Sequence, residues 1–409
     1  MSWVVLPLKT TLLLALGLSL FSIIAQAADW PQFRGPTGIG TTEERELPLK
    51  WDGKTGEGIA WRVELPKSDN AWSSPIVVGG KVIVTCVQNE PLKHVVLCFD
   101  AANGTQLWDT AVPPGPWILK DFRGGYGAPT PCSDGKRVFV VFGSAVVAGL
   151  GLDGKLLWRR ELEKFAFDVA LGASPIVFGD TVILNCDQTG KTSSIVAFDT
   201  ASGEAKWEAK RPDTGFSHST PVIAKVAGQP QMFVAASGAL QGLDPANGAL
   251  LWTCPAPGDA ASPAFDGTRI YSDSGRGGKG VFVEPGSGKL EPLWTYPQIP
   301  EGLSSPIIAG GLVWRTHSPE ILKTIRVADG TLAFSERLAG LPTYASPVAT
   351  ADGRIYFASA GKTYVLKAGD KLEVLAMNDL GEDNRASAAV SAGRIYIRGN
   401  KTLTCIGIK

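Results

Sequence analysis

A repeat that opens with a small residue and a proline runs through most of this 409-residue chain. Each copy continues as a short apolar run, turns at glycine or Asp-Gly, and returns as a second apolar segment. The eight starts, separated by 56, 44, 46, 42, 43, 41 and 42 residues by subtraction, are Ser74-Pro75, Thr130-Pro131, Ser174-Pro175, Thr220-Pro221, Ser262-Pro263, Ser305-Pro306, Ser346-Pro347 and, without the proline, Ala388-Ala389. One four-stranded propeller blade occupies about 40 to 45 residues. The repeat therefore predicts an all-β fold, an eight-bladed β-propeller of four-stranded antiparallel blades.

A second pattern marks the outer half of the copies, where aspartate, glycine and tryptophan follow one another at fixed spacing. The clearest examples are Asp100, Gly104 and Trp108; Asp199, Gly203 and Trp207; and Asp244, Gly248 and Trp252. Aspartate bonds turn amides, glycine takes the left-handed conformation, and tryptophan then lies on the outer strand. We expect these tryptophans to pack against the neighbouring blade rather than to hold a cofactor.

The two ends of the repeat region indicate how the ring closes. The last copy ends at Lys401 to Ile408, one strand short, whereas Ile59 to Val63 forms an unpartnered outer strand near the start. A strand from the N-terminal end that completes the last blade removes the open sheet edge. The prediction is a single propeller domain over residues 59–409, preceded by a lead-in segment at 28–58.

The first 27 residues have the pattern of a secretory signal peptide. Lys9 precedes an apolar run from Leu12 to Ile24, and Ala25-Gln26-Ala27 supplies small residues for cleavage. The run is shorter than the roughly 20 residues that span a bilayer, so we expect a periplasmic or secreted protein without a membrane span after cleavage. No cysteine occurs before Cys86, so a lipid anchor of the bacterial lipoprotein type has no acceptor.

The charge balance limits the classes of binding partner, and the cysteine positions bear on whether the chain forms a disulfide bond. Lys plus Arg equals Asp plus Glu at 39 each, which disfavours nucleic acid as a main partner. Export permits disulfides, and Cys86 and Cys98 flank one hairpin, so a bond between them is conceivable. Free buried thiols are favoured for both, because adjacent antiparallel strands strain such a bond.

Long connections are predicted on one face of the propeller, within residues 110–127, 159–172 and 210–217. Functional residues on rigid scaffolds tend to lie on such loops. The longest connection mixes aromatic and charged residues as interfaces do, with Trp117, Asp121, Phe122, Arg123 and Tyr126. We expect a partner to bind this face; the alternative is that Trp117 and Phe122 only close it.

Residues just ahead of the repeat starts are expected to surround the axial opening on the same face. They are Trp72, His218, Asp259, Tyr344 and Arg385. This aromatic and charged set is suited to a sugar, a small anion or a peptide, although residues that only bond one another would explain it equally well.

No catalytic or metal site is predicted. His94, His218 and His317 belong to three different blades, whereas zinc ligands must converge on one ion. The run from Gly275 to Gly280 has the composition of a phosphate loop but joins two strands, so it is interpreted as a glycine-rich hairpin.

The Asp, Gly and Trp pattern at this spacing resembles the pyrroloquinoline-quinone-like (PQQ-like) propeller repeat family, over residues 59–408. The segment from Asp29 to Pro36 also resembles the start of exported planctomycete-type members. The family includes quinoprotein alcohol dehydrogenases and the non-enzymatic outer-membrane barrel-assembly lipoprotein B. The chain lacks the adjacent cysteines of the former and the lipid-accepting cysteine of the latter, and a shared fold does not choose between them.

The leading hypothesis is an exported, non-catalytic binding or scaffolding propeller, by default a monomer, that docks a protein or glycan on its long-loop face and needs no cofactor. The alternative implied by the resemblance is a small quinoprotein-like oxidoreductase for an alcohol or sugar, which would use pyrroloquinoline quinone with calcium on that face.

Overall fold

The computed structural model of the chain describes residues 1, 29–69, 72–115, 125–163, 170–383 and 385–408. Within these residues all regular secondary structure is β-strand, and the strands form eight sheets. Apart from Met1, the predicted signal peptide lies outside the described residues. Over the ranges described, the fold contains no helix long and apolar enough to cross a membrane.

Each sheet is one blade with antiparallel neighbours running from the axis outward. Two strands, β1 (Thr41–Thr42) and β2 (Ile59–Glu64), precede the first blade. Blades one to four comprise β3 (Ile76–Val78), β4 (Lys81–Asn89), β5 (Leu92–Asp100), β6 (Gln106–Val112); β7 (Cys132–Ser133), β8 (Arg137–Phe142), β9 (Val146–Gly151), β10 (Leu156–Glu161); β11 (Ile176–Phe178), β12 (Thr181–Asn185), β13 (Ser194–Asp199), β14 (Ala205–Lys210); and β15 (Val222–Val226), β16 (Gln229–Ala236), β17 (Gly238–Leu243), β18 (Leu250–Ala256).

The second half of the ring repeats this plan. Blades five to eight comprise β19 (Ala264–Phe265), β20 (Ile270–Asp273), β21 (Arg276–Val283), β23 (Trp294–Glu301); β24 (Ile307–Ala309), β25 (Leu312–His317), β26 (Ile321–Arg326), β27 (Leu332–Arg337); β28 (Val348–Thr350), β29 (Arg354–Phe357), β30 (Lys362–Lys367), β31 (Val374–Asp379); and β32 (Ala389–Ser391), β33 (Arg394–Arg398), β34 (Thr402–Ile406). A further strand, β22 (Gly288–Lys289), lies between β21 and β23 in the chain but belongs to the sheet of blade four. The short β22 pairs in parallel with β18, and β1 adds a parallel edge to β28.

The N-terminal strand closes the ring as the sequence predicted. β2 pairs antiparallel with β34 and supplies the outer strand of blade eight. Trp61 on β2 then reaches blade one, where its indole N–H donates to the Ala101 carbonyl at 3.1 Å. The prediction of an eight-bladed propeller closed in this way is confirmed.

The outer-strand tryptophans join neighbouring blades. Trp158 donates its indole N–H to the Thr200 carbonyl at 3.0 Å, and its ring covers Gly203 of the next blade. Gly203 has φ +71°, and a Cβ there would lie 2.4 Å from that ring. The same contact recurs in the pairs Trp61 and Gly104, Trp108 and Gly154, Trp207 and Gly248, and Trp294 and Gly330. The prediction that such tryptophans pack between blades is confirmed for these five. Trp252 differs, because its indole N–H donates to Gln231 Oε1 of its own blade at 2.8 Å.

Eight hydroxyl side chains form a closed ring of hydrogen bonds around the axis, which we call the axial hydroxyl ring. Each oxygen accepts the backbone N–H of the equivalent residue in the preceding blade, at 2.8 to 3.0 Å. The ring consists of Ser74, Thr130, Ser174, Thr220, Ser262, Ser305, Ser346 and Ser387. The sequence-based start of blade eight, Ala388-Ala389, is therefore wrong by one residue, because Ser387 is the ring member and Ala388 takes the place of the proline.

The lead-in crosses the face opposite the long loops, and we call residues 29–53 the plug segment. Its backbone and carboxylates bond several blades; these contacts are Trp30 with Val77, Pro31 with Ser133, Gly40 with Ala349 and Glu44 with Gly393. Arg34 is buried and donates to the carbonyls of Pro263, at 3.0 Å, and Pro306. Trp30 and Trp51 share a core cluster with blades seven, eight and one. The plug segment thus ties together blades that are distant in sequence.

All six cysteines of the chain are free and buried. Ile83, not Cys86, is the cross-strand partner of Cys98. The preference for free thiols over a bond between Cys86 and Cys98 agrees with this register.

Candidate binding site at the axial mouth

A cavity of about 860 Å³ opens on the propeller axis at the face where the inner strands begin, and we call it the mouth. The axial hydroxyl ring surrounds its deep end, together with the Phe33 side chain of the plug segment. Its walls carry Trp72, His218, Arg276, Glu301, Tyr344 and Arg385. The mouth is therefore a polar, partly aromatic cup closed underneath by the plug segment.

Arg385 lies between two aromatic rings at the rim. Its guanidinium carbon is 4.3 Å from the centre of the Trp72 ring and 4.1 Å from that of Tyr344. Such cation–π contacts hold a cation without neutralising its charge. Tyr344 is 42% exposed and Arg385 is exposed as well, so this group faces solvent at the entrance.

The other side of the mouth carries an ion pair. Arg276, just after the Gly275 turn, contacts Asp259 at 2.7 Å. Burial raises the pKa of the Asp259 carboxyl, and the neighbouring Arg276 partly opposes that rise. Glu301, the cross-strand neighbour of Arg276, adds an exposed carboxylate to the wall.

His218 is a neutral group in the mouth wall. Its Nδ1 accepts the backbone N–H of Gly172 at 3.0 Å, which leaves the ring hydrogen on Nε2. Burial, followed by the nearby Arg276, lowers its pKa to about 4. At neutral pH His218 therefore offers an uncharged N–H donor.

The sequence-predicted site residues fall into three groups. Trp72, His218, Tyr344 and Arg385 line the mouth, and Asp259 reaches it through Arg276. Tyr126 is instead 2% exposed and packs in a core cluster near His94. Trp117, Asp121, Phe122 and Arg123 lie outside the described residues. The five residues expected around the opening thus come together, while Tyr126 contributes to the core.

Several mouth residues were missed by the sequence-based reasoning. Arg276 and Glu301 follow a turn and end an outer strand, which are positions on the long-loop face of any blade. The hydroxyls of the axial ring were interpreted only as small residues suited to a crowded axis. Phe33 belongs to the plug segment, and no local pattern indicates that it reaches the axis.

The other two histidines are buried between strands. His94 stacks on Phe142 with ring centres 4.1 Å apart, and His317 Nδ1 lies 3.0 Å from the Pro300 carbonyl. Burial lowers the pKa of each to about 3. Across the described part of the chain, no group of three or more His, Cys, Asp and Glu side chains is placed to hold a metal ion.

The family described as outer membrane protein assembly factor BamB matches residues 92–336, more than half of the chain. The chain belongs to this family. Among curated proteins, none matches this BamB-family chain in sequence.

Solved structures with this fold include a BamB protein and two quinohemoprotein alcohol dehydrogenases. BamB from Moraxella catarrhalis shares 14% identity, with a TM-score of 0.63 over 86% of this chain and 97% of that one. Quinohemoprotein alcohol dehydrogenase from Comamonas testosteroni also shares 14% identity, with a TM-score of 0.66 over 93% and 81%. The related dehydrogenase ADHIIG from Pseudomonas putida HK5 shares 13%, with a TM-score of 0.68 over 92% and 80%. At these identities the likeness concerns the fold.

The mouth can be tested for the quinone and calcium that the quinoprotein resemblance implies. Calcium binds through six to eight oxygen ligands. Asp259 is held by Arg276, and Glu301 is the one carboxylate that lines the cavity among the residues described. This donor set does not fit a calcium ion, so we derive no oxidoreductase step from the mouth.

Proposed function

We propose that this BamB-family chain is an exported, non-catalytic scaffold that docks a partner protein on its long-loop face, over the mouth. The observation that carries the proposal is the exposed stack of Trp72, Arg385 and Tyr344 at the rim. Aromatic residues and arginine are the side chains most enriched in the energetic centres of protein interfaces. The description of the family as an assembly factor supports a partner of the protein class.

The architecture suits such a role. The stack stands on a closed ring of blades whose opposite face is sealed by the plug segment, so little backbone order is lost when a partner binds. Rigid presentation of anchor residues reduces the entropy cost of association. A glycan, the other partner class expected from the sequence, would use the same aromatic faces.

A crosslinking experiment tests the docking face. A photo-reactive amino acid would replace Tyr344 in the full chain in cells, with the same replacement at Met377 as the control. Met377 is 58% exposed but lies on the outer strand β31, away from the mouth. We expect a discrete protein adduct from position 344 and none from 377.

The purified partner then allows a quantitative test. Tyr344→Ala and Arg385→Ala should each weaken binding by about tenfold or more, while Met377→Ala leaves it unchanged. Adducts that carry only glycan would contradict the choice of a protein. Stoichiometric quinone uptake in the presence of calcium, with alcohol-dependent dye reduction, would overturn the non-catalytic assignment. Cell fractionation tests export.

A further inference from the structure

The axial hydroxyl ring retains hydrogen-bonding capacity that the fold does not use. Its eight side chains are buried, with exposed fractions between 2% and 6%, and all eight line the deep end of the mouth. Each oxygen accepts one backbone N–H. A hydroxyl is a donor as well as an acceptor, so the hydrogen of each group is still available.

Within the described part of the chain these hydrogens have no acceptor, because no atom there accepts a hydrogen bond from any of the eight hydroxyls. Ser73, the residue before the ring member Ser74, differs in that its hydroxyl shares a hydrogen bond with the Thr85 hydroxyl at 2.7 Å. A buried donor without an acceptor costs about 1 to 3 kcal/mol. Eight such donors around one axis therefore form a site for a group rich in acceptor oxygens.

The charges around the ring favour an anion. Arg34 lies one residue along the inner strands from the ring, at the carbonyls of Pro263 and Pro306. Burial, followed by Arg315, lowers its pKa to about 9, so it remains charged at neutral pH. At the entrance Arg385 lies against two aromatic rings, and it also borders a neighbouring cavity that Glu382 and Asp383 line. Neither arginine has an ion-pair partner within the described residues.

Opposite charges are present but fewer. Asp259 is neutralised by Arg276 at 2.7 Å, which leaves Glu301 as the uncompensated carboxylate of the wall. Arg276 and Arg385 in the mouth wall are thus balanced by Asp259 and Glu301, and buried Arg34 beside the ring makes the sum of these five charges positive. Charge-assisted hydrogen bonds to an oxyanion are about twice as strong as neutral ones.

We propose that the axial hydroxyl ring binds a small oxyanion, whose oxygens accept O–H groups from several blades while Arg34 and Arg385 balance its charge. Phe33 forms an apolar floor beneath the anion and limits access of water. The site does not require the docked partner of the proposed function. A carboxylate and a phosphate offer the same oxygen chemistry, and the test separates them.

Calorimetric titration of the full chain at low ionic strength tests the site. Acetate and inorganic phosphate are the two probes, and acetamide is the neutral counterpart of acetate. We expect one-to-one binding of at least one oxyanion and none of acetamide. Absence of binding by both anions, or equal binding of acetamide, would mean that water alone occupies the ring and would overturn the proposal.

The double variant Thr130→Val and Thr220→Val removes two ring hydroxyls with little change in volume. The affinity for the oxyanion should fall at least about tenfold. Thr324→Val is the matched control, because Thr324 is buried and its hydroxyl also accepts a backbone N–H, but on β26 away from the axis. Unchanged affinity in the double variant would contradict the assignment.

Two surface variants keep the test valid if the double variant does not fold. Arg385→Gln should weaken anion binding and Glu301→Gln should strengthen it, each several-fold, because both side chains are exposed at the entrance. Opposite or absent effects would refute the role of these charges. Crystals soaked in selenate should show an anomalous peak on the axis within the ring; a peak elsewhere would place the anion outside it.

Discussion

The two faces of the propeller use the same residue types for different purposes. On the plug face Trp30 is 1% exposed and the Arg34 guanidinium donates to backbone carbonyls of two blades and of its own segment. On the mouth face Trp72 and Arg385 meet at the entrance of an open cavity. The plug face uses its tryptophan and arginine mainly for packing and for hydrogen bonds to the backbone, whereas the mouth face presents them at an open cavity.

The difference follows from strand direction in an antiparallel blade. The first hairpin of every blade and the third hairpin of blades one to four, six and seven turn on the plug face, and these turns are short, as at Gly79-Gly80 and Gly203. The other connections emerge on the mouth face. The plug face can therefore be sealed by one extended segment, while the mouth face carries the longer connections between blades.

The largest effect is expected from removing the closing strand. Deletion of residues 59–65 leaves β34 as an open edge and removes the contact of Trp61 with Gly104. We expect loss of cooperative unfolding and aggregation, measured by circular dichroism and size-exclusion chromatography. Reattaching the same seven residues after Lys409 through a short turn should restore folding, since blade eight is completed either way. A deletion variant that melts like the intact chain would disprove the closure.

The contrast between the faces can be tested with two tryptophans. Trp30→Ala should lower the free energy of unfolding by about 3 to 5 kcal/mol, because it leaves a cavity under the plug segment. Trp72→Ala should lower it by about 1 kcal/mol or less, since it loses mainly a contact with the exposed Arg385. Urea unfolding of both variants gives the comparison. Equal losses would show that the mouth face is as important for stability as the plug face.

Two glycines with similar backbone angles, Gly203 on the plug face and Gly381 on the mouth face, separate strain from packing. Gly203 has φ +71° under the Trp158 ring, and Gly381 has φ +75° with no atom within 4 Å of a built Cβ. Alanine at either position costs about 1 to 2 kcal/mol for the left-handed conformation. Gly203→Ala should cost about 1 to 3 kcal/mol more, because the new methyl meets the indole. Thermal melts of the two variants side by side decide whether the blade contact is tight.

An effect that is seen only in acid is expected at the mouth-side end of blade one, where His94 is buried. Its folded pKa of about 3 lies below the ordinary value of 6.5. Below pH 6.5 the unfolded chain binds a proton at His94 while the folded chain does not. The free energy of unfolding therefore keeps its full value above pH 6.5 and falls by about 1.4 kcal/mol per pH unit as the pH drops towards 3. His94→Phe keeps the stack on Phe142 and removes this dependence.

Between pH 6.5 and 5, wild type should therefore lose about 2 kcal/mol more than the His94→Phe variant in urea unfolding. Asp187, whose pKa burial raises to about 6, acts with the opposite sign but is common to both proteins. Parallel pH profiles for the two proteins would show that His94 does not titrate as its burial implies.

The blades and their number could be predicted because each blade depends on residues close in sequence. The closing strand could be predicted because the last copy of the repeat is one strand short and residues 59–63 have no other partner. A proline opens an inner strand, Gly79-Gly80 turns it, and a tryptophan follows a turn glycine by four residues. The start of blade eight was misplaced because this copy of the repeat has no proline to mark the residue that follows the ring hydroxyl. Only the bond from the Ser387 N–H to Ser74 Oγ reveals the register.

The mouth was predictable in part for the same reason. Trp72, His218, Tyr344 and Arg385 could be placed because they precede a repeat start. Arg34 could not, since it bonds a carbonyl 229 residues away. The roles of the axial hydroxyls also depend on neighbours that are 41 to 56 residues apart along the chain, and 313 residues apart for Ser387 and Ser74.

Local chemistry, repeated eight times, thus determines that this chain forms a propeller, which face carries the long connections and which residues approach the axis. The tertiary structure decides what those residues do. Ring closure brings eight hydroxyls from eight blades to one axis, and the plug segment places Arg34 and Phe33 beneath them. Contacts of this kind arise from the curvature of the whole ring, which no single repeat contains.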